Sequence, residues 1–112
     1  MLKIKNTDKM GRGVFTTEII SKGTIIETAE TIPFKNSDLN VGAKLNSYTF
    51  GINKRESLIA LGIGSLFNHS TEPNVFVEIY KENKQYYLDY SALRDLEEGE
   101  ELFIDYGYTP NV

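Results

Sequence analysis

Asn68-His69-Ser70-Thr71-Glu72-Pro73-Asn74 and Gly99-Glu100-Glu101-Leu102-Phe103-Ile104-Asp105-Tyr106-Gly107 are the two stretches on which the reading of this chain turns. The first holds the only histidine and closes on a turn-forming Pro-Asn pair. The second runs from a turn glycine through an alternating strand to a tyrosine placed just before another glycine. Working outward, the pattern is mostly β. Val75, Val77 and Ile79 alternate against Phe76 and Glu78 in a strand from Asn74 to Tyr80. A turn near Glu82-Asn83 joins it to Gln85-Tyr86-Tyr87-Leu88-Asp89-Tyr90, which makes a hairpin. Leu93 to Glu98 reads as a connector, and Glu101 to Tyr106 as the last strand.

The N-terminal half carries the same signals. Gly11-Arg12-Gly13 reads as a turn, followed by the short strand Gly13-Val14-Phe15-Thr16. Lys22-Gly23 marks a second turn before the β-branched stretch Thr24 to Ile32, which Pro33 is expected to terminate. Polar residues from Phe34 to Asn46 break any long period and predict a loop with a turn of helix. Leu45 to Ile52 and Leu58 to Leu61 read as strands around the charged turn Asn53-Lys54-Arg55-Glu56. The expectation is one mainly β domain over residues 1–112, built from several small sheets with short helical turns. A Rossmann reading of Gly11-Arg12-Gly13 fails, because a strand and not a helix follows it.

Composition narrows the function classes. The chain has 112 residues, of which 40% are hydrophobic and 25% charged, as in an ordinary globular domain. No apolar run approaches the roughly 18 residues of a membrane span. Met1-Leu2-Lys3-Ile4-Lys5 lacks the apolar centre of a signal peptide, so an intracellular location is expected and no membrane partner. Zero cysteines exclude disulfides and thiolate-bound zinc, and a single histidine leaves no metal site to expect. A net charge of −4 with scattered cations argues against direct nucleic-acid binding; it suits a basic protein partner, and taken alone it is as well explained by solubility.

Taken together and in this order, the three segments resemble the signature of SET-domain protein-lysine methyltransferases. Asn68 to Asn74 is similar to the family's Asn-His-Ser-Cys-x-Pro-Asn, with Thr71 in the cysteine position. Gly99 to Gly107 matches its Gly-Glu-Glu-Leu-x-x-x-Tyr-Gly. The resemblance implies a β-clip fold with a C-terminal pseudoknot, and S-adenosylmethionine as methyl donor. It implies cofactor binding by Gly11, Arg12, Gly13, Asn68 and His69, and places the catalytic tyrosine at Tyr106. Tyr48 falls where the family has a tyrosine lining the lysine channel, and Tyr108 is a second candidate for that channel. The cysteine-rich tail of many members is missing, since the sequence has no cysteine and stops six residues after Tyr106. The chain therefore resembles the short stand-alone members of viral or bacterial type. A homodimer is expected to cover the site, with Tyr86, Tyr87 and Tyr90 as a candidate surface.

Tyrosines suit this reaction. A lysine amine has a pKa of about 10.4 in water, so it must lose a proton before it can attack a methyl group. Burial and a neighbouring cation both favour the neutral amine. Net charge is conserved when the methyl moves, so alignment contributes more than acid strength. Two readings of other classes stand beside this one: a catalytically inactive SET-like module that binds a peptide or S-adenosylmethionine, and a β-clip partner-binding protein with no cofactor.

Overall fold

The computed structural model describes residues 1–38 and 49–105. The first strand, β1 (Leu2–Thr7), was not expected from the sequence and pairs antiparallel with β2 (Gly11–Thr16), Leu2 opposite Thr16 and Thr7 opposite Gly11. Its signal was the alternation Leu2-Lys3-Ile4-Lys5, since Leu2 and Ile4 pack against the core while the lysines are exposed. The Gly-Arg-Gly segment is not the turn itself. The turn is Asp8 to Met10, closed by Thr7, whose hydroxyl donates to the Gly11 carbonyl at 2.8 Å and accepts from Met10 N–H at 2.9 Å. Gly11, with φ of 69°, turns the chain back into β2.

β3 (Ile25–Lys35) runs through Pro33 instead of ending there. Its register with β8 (Gln85–Ala92) stops at Glu30, opposite Tyr87, whereas its register with β5 (Glu56–Ala60) continues to Lys35. The Glu30 carbonyl accepts from Leu61 and the Asn36 N–H donates to the Arg55 carbonyl, so even-numbered residues of β3 bond toward β5. Pro33 has the other parity. Its missing N–H faces past the end of β8, where no partner is deprived of a bond.

A 3₁₀ turn at Asn36–Asp38 follows, and β4 (Thr49–Gly51) then pairs with β5. A second 3₁₀ turn (Gly62–Ser65) leads to the short β6 (Asn68–His69). The hairpin of β7 (Val75–Glu82) and β8 is closed by Asn83 and Lys84, with φ of 50° and 67°. Two successive positive φ angles make the tight two-residue turn that matches strand twist. β9 (Glu101–Ile104) is the last described strand. The strands form two sheets, ordered β1-β2-β9-β6 and β4-β5-β3-β8-β7. This mainly β architecture of small sheets agrees with the sequence expectation. The C-terminal piece expected to thread a pseudoknot continues beyond Asp105, outside the described residues. Among the described residues, no helix is long and apolar enough to cross a membrane.

Both sheets contribute to one buried cluster, including Val14, Leu58, Leu88, Tyr90, Leu102 and Ile104. Tyr90 is wholly buried, stacks on Phe67 at 4.6 Å between ring centroids, and donates its hydroxyl to the Gly64 carbonyl at 2.7 Å. Tyr90 is thus core and drops out of the tyrosine surface expected from the sequence. Gly64 is equally constrained, because a Cβ there would lie 2.8 Å from both Ala29 Cβ and Tyr90 Oη. Tyr90→Phe should lower unfolding free energy by about 1–2 kcal/mol through the lost buried bond. Gly64→Ala should cost a comparable ~1–3 kcal/mol by overpacking. Urea titrations of both variants check these values.

Candidate active site

β9 is short, and its neighbours hold it by different means. Toward β2 it pairs antiparallel, Val14 opposite Leu102 and Phe15 opposite Glu101. Toward β6 it pairs parallel, Asn68 opposite Phe103 and His69 opposite Ile104. The carbonyls of Glu100 and Ile104 accept from Thr16 and Ser70 N–H at 3.1 and 2.9 Å. The residues of the other parity bond to the buried Asn74. Asn74 Nδ2 donates to the Glu101 carbonyl at 2.9 Å, and its Oδ1 accepts from Phe103 N–H at 2.7 Å. The Asn74 backbone N–H donates to the Phe103 carbonyl at 3.3 Å. The carboxamide therefore acts as one more residue of neighbouring strand.

This arrangement brings the expected cofactor segments together. Asn68 Nδ2 donates to the Glu101 carboxylate at 2.8 Å and to the Arg12 carbonyl at 3.3 Å. Both protons of that amide go to acceptors, which fixes its orientation, because the flipped amide would set oxygen against oxygen. Gly13 lies against the same pair: a Cβ there would overlap the Glu101 carboxylate and come 2.8 Å from Asn68 Nδ2. Only glycine lets β2 approach this closely. Gly11 and Arg12 precede it on β2 and are exposed, while Asn68 and His69 are half-buried. His69 Nδ1 lies 4.0 Å from Asp105 Oδ1, so the histidine of the first motif meets the aspartate of the second. Tyr48, Tyr106 and Tyr108 lie outside the described residues, and Tyr106 directly follows Asp105 in the chain. Among the described residues, no group of three or more metal-ligating side chains is arranged to hold an ion.

Sequence reading assigned no role to Glu101. It sits opposite Phe15, so its side chain reaches diagonally toward Gly13. That relation becomes visible only once the register is known. The neighbouring Glu100 points elsewhere, accepting from Asn74 Nδ2 at 3.2 Å and from the Arg94 guanidinium, with which it forms an ion pair.

The SET domain family profile matches residues 11–107. The Schizosaccharomyces pombe histone-lysine N-methyltransferase specific for H3 lysine 37 is 38% identical over 109 residues, spanning 95% of this chain and 73% of that protein. The Arabidopsis thaliana histone-lysine N-methyltransferase MEDEA is 29% identical over 115 residues, spanning 96% of this chain but 17% of its own length. The solved structure of a Plasmodium falciparum "putative histone methyltransferase" superposes with a TM-score of 0.84 at 33% identity, covering 97% of this chain and 99% of that one. With β9 joining the Gly-x-Gly strand to the Asn-His strand in a two-sheet β fold, and with these matches, the class is that of SET-domain transferases. The chain belongs to the SET-domain family of protein-lysine methyltransferases.

The ion pair behind the site gives the fold a pH dependence. Hydrogen bonding from Arg94, outweighing the opposite effect of burial, holds the Glu100 carboxyl below its ordinary value of 4.5. A carboxyl depressed in the folded state stabilises the fold above its ordinary pKa, and that contribution is lost as pH falls through the lower folded value. Arg94→Ala should therefore be less stable than wild type at neutral pH. The two should converge in acid, which urea midpoints collected as a function of pH would show.

Proposed function

We propose that this chain transfers a methyl group from S-adenosylmethionine to the ε-amine of a lysine in a basic protein, histone lysines being the targets named for its relatives. The observation that carries the reading is the meeting of Gly13, Asn68 and Glu101, three residues from three separated motif segments, at one half-buried spot. The donor set suits the cofactor. Peptide groups of a glycine strand, a carboxamide, an imidazole and carboxylates match a molecule with an amino-acid end, a purine and a positive sulfur centre. Glu101 and Asp105 also give the site a negative bias suited to cationic ligands.

In this reading Gly11, Arg12 and Gly13 offer backbone groups to the cofactor, and Asn68 and His69 hold its other side. Bound there, S-adenosylmethionine supplies an electrophilic methyl group on a sulfonium. Glu101 keeps Asn68 in one orientation, so the amide needs no reorganisation when the ligand arrives. Tyr106 and Tyr48, assigned by the family motif, position the lysine amine and exclude water from it. Exclusion of water favours the neutral, nucleophilic amine. Tyr108 is the further candidate for narrowing the channel.

Labelled S-adenosylmethionine incubated with a lysine-rich protein such as histone H3 tests the activity directly. Cofactor binding without transfer to any basic protein would favour the inactive binding module instead. Tyr106→Phe removes one oxygen, and the methyl-transfer rate should fall by a factor on the order of 10² with cofactor affinity retained. Equal rates for mutant and wild type would return Tyr106 to a packing role.

Asn68→Ala and Gly13→Ala attack the other side of the site. The first removes an amide held by two acceptors, and should weaken cofactor binding by about 1 kcal/mol, some fivefold. The second forces Glu101 off Asn68 and should weaken binding at least as much. Calorimetric titration with S-adenosylmethionine gives both numbers, and unchanged affinity in both would move the cofactor elsewhere.

A further inference from the structure

The sheet face made by β3, β8 and β7 has an outer side that the methyl-transfer reading does not use. Strand registers sort its residues into rows. Phe76, Ser91 and Ile25 form one row, in which Phe76 is 52% and Ile25 57% exposed. The next row sets Glu78 directly opposite Asp89, whose carboxylate also accepts from the Thr28 hydroxyl at 2.7 Å. The third row is Tyr80, Tyr87 and Glu30, the two rings stacked at 5.5 Å. Like charges placed opposite each other on a sheet are destabilising. No lysine or arginine stands at an outward position of these three strands. Lys81 faces the other way, over the Tyr86 ring at 5.2 Å.

We propose that this face is a docking surface for an arginine-rich protein segment, on a different sheet from the strands that carry Gly13, Asn68 and Glu101. Exposed Phe76 and Ile25 give the segment's aliphatic stems an apolar place to lie. Glu78, Asp89 and Glu30 pair with its cations, and the stacked tyrosines offer ring faces on which a guanidinium rests. A second copy of the chain is the poorer occupant, because it would set carboxylates against carboxylates. A basic segment instead relieves the Glu78–Asp89 opposition already present.

The test uses the full chain and a fluorescent oligo-arginine peptide. That probe has no acceptor lysine, so its binding stands or falls independently of methyl transfer. Wild type should bind it, more weakly as salt rises, and Glu78→Gln with Asp89→Asn should weaken binding about tenfold. The thermal midpoint of the double variant should be unchanged or higher, since two opposed charges are gone. Glu18→Gln with Glu98→Gln removes the same charge from exposed positions elsewhere and should leave binding within about twofold. Phe76→Ala should weaken binding in a way that salt does not alter. Equal losses in both double variants would mean bulk acidity alone, and no loss in the first would remove the face from binding. A dimer in sedimentation that the first pair disrupts would assign the face to self-association, and each of these three results overturns the proposal.

Discussion

The carboxamide of Asn74 is the constraint on which the rest of the site depends. β9 shares only two paired positions with β2 and two with β6, too few to fix a four-residue strand by ladder bonds alone. Asn74 supplies the missing length. Its side chain bonds the Glu101 carbonyl and the Phe103 N–H, as a neighbouring backbone would, and buries itself in doing so. A buried polar group left without partners costs about 1–3 kcal/mol, so a one-residue slip of β9 would strand this amide and the strand groups it serves. The register of β9 is thereby determined, and with it the position of every side chain that β9 carries.

That register divides two adjacent glutamates. Successive residues of a strand point to opposite faces. Glu100 turns toward Asn74 and Arg94 and anchors the start of the strand. Glu101 turns toward Gly13 and Asn68 and completes the half-buried site. The acidic dipeptide therefore serves structure with one carboxylate and the site with the other. The same alternation operates on the second sheet, where Tyr90 enters the core while Asp89, beside it, joins the outer acidic rows.

Much of this was legible in the residues. The alternation in Val75 to Ile79 and the polar Glu82-Asn83 step marked the β7–β8 hairpin, because burial on one face writes itself directly into a period of two. The segments around Gly13, Asn68 and Tyr106 were legible only as motifs, through resemblance. Other features were not legible because they depend on partners distant in sequence. Pro33 looks like a strand terminator until the end of β8 shows that nothing there needs its N–H. Tyr90 looks like its neighbours until the sheet turns it inward onto Phe67. Glu101 gains its place only from a register with β2, and no local pattern announces that.

The order in which strands pair sets the tempo of assembly. β7 and β8 are joined by a two-residue turn and can zip together without closing a long loop. Val14 and Leu102 are neighbours in space yet stand near opposite ends of the sequence, and Arg12 and Asn68, which also meet, are 56 residues apart. Contacts so distant along the chain form late, because loop closure precedes any reward from them. Kinetically, then, the spot where Gly13, Asn68 and Glu101 meet is expected to form after the β7–β8 hairpin, and a chain arrested between the two would hold a finished hairpin without it.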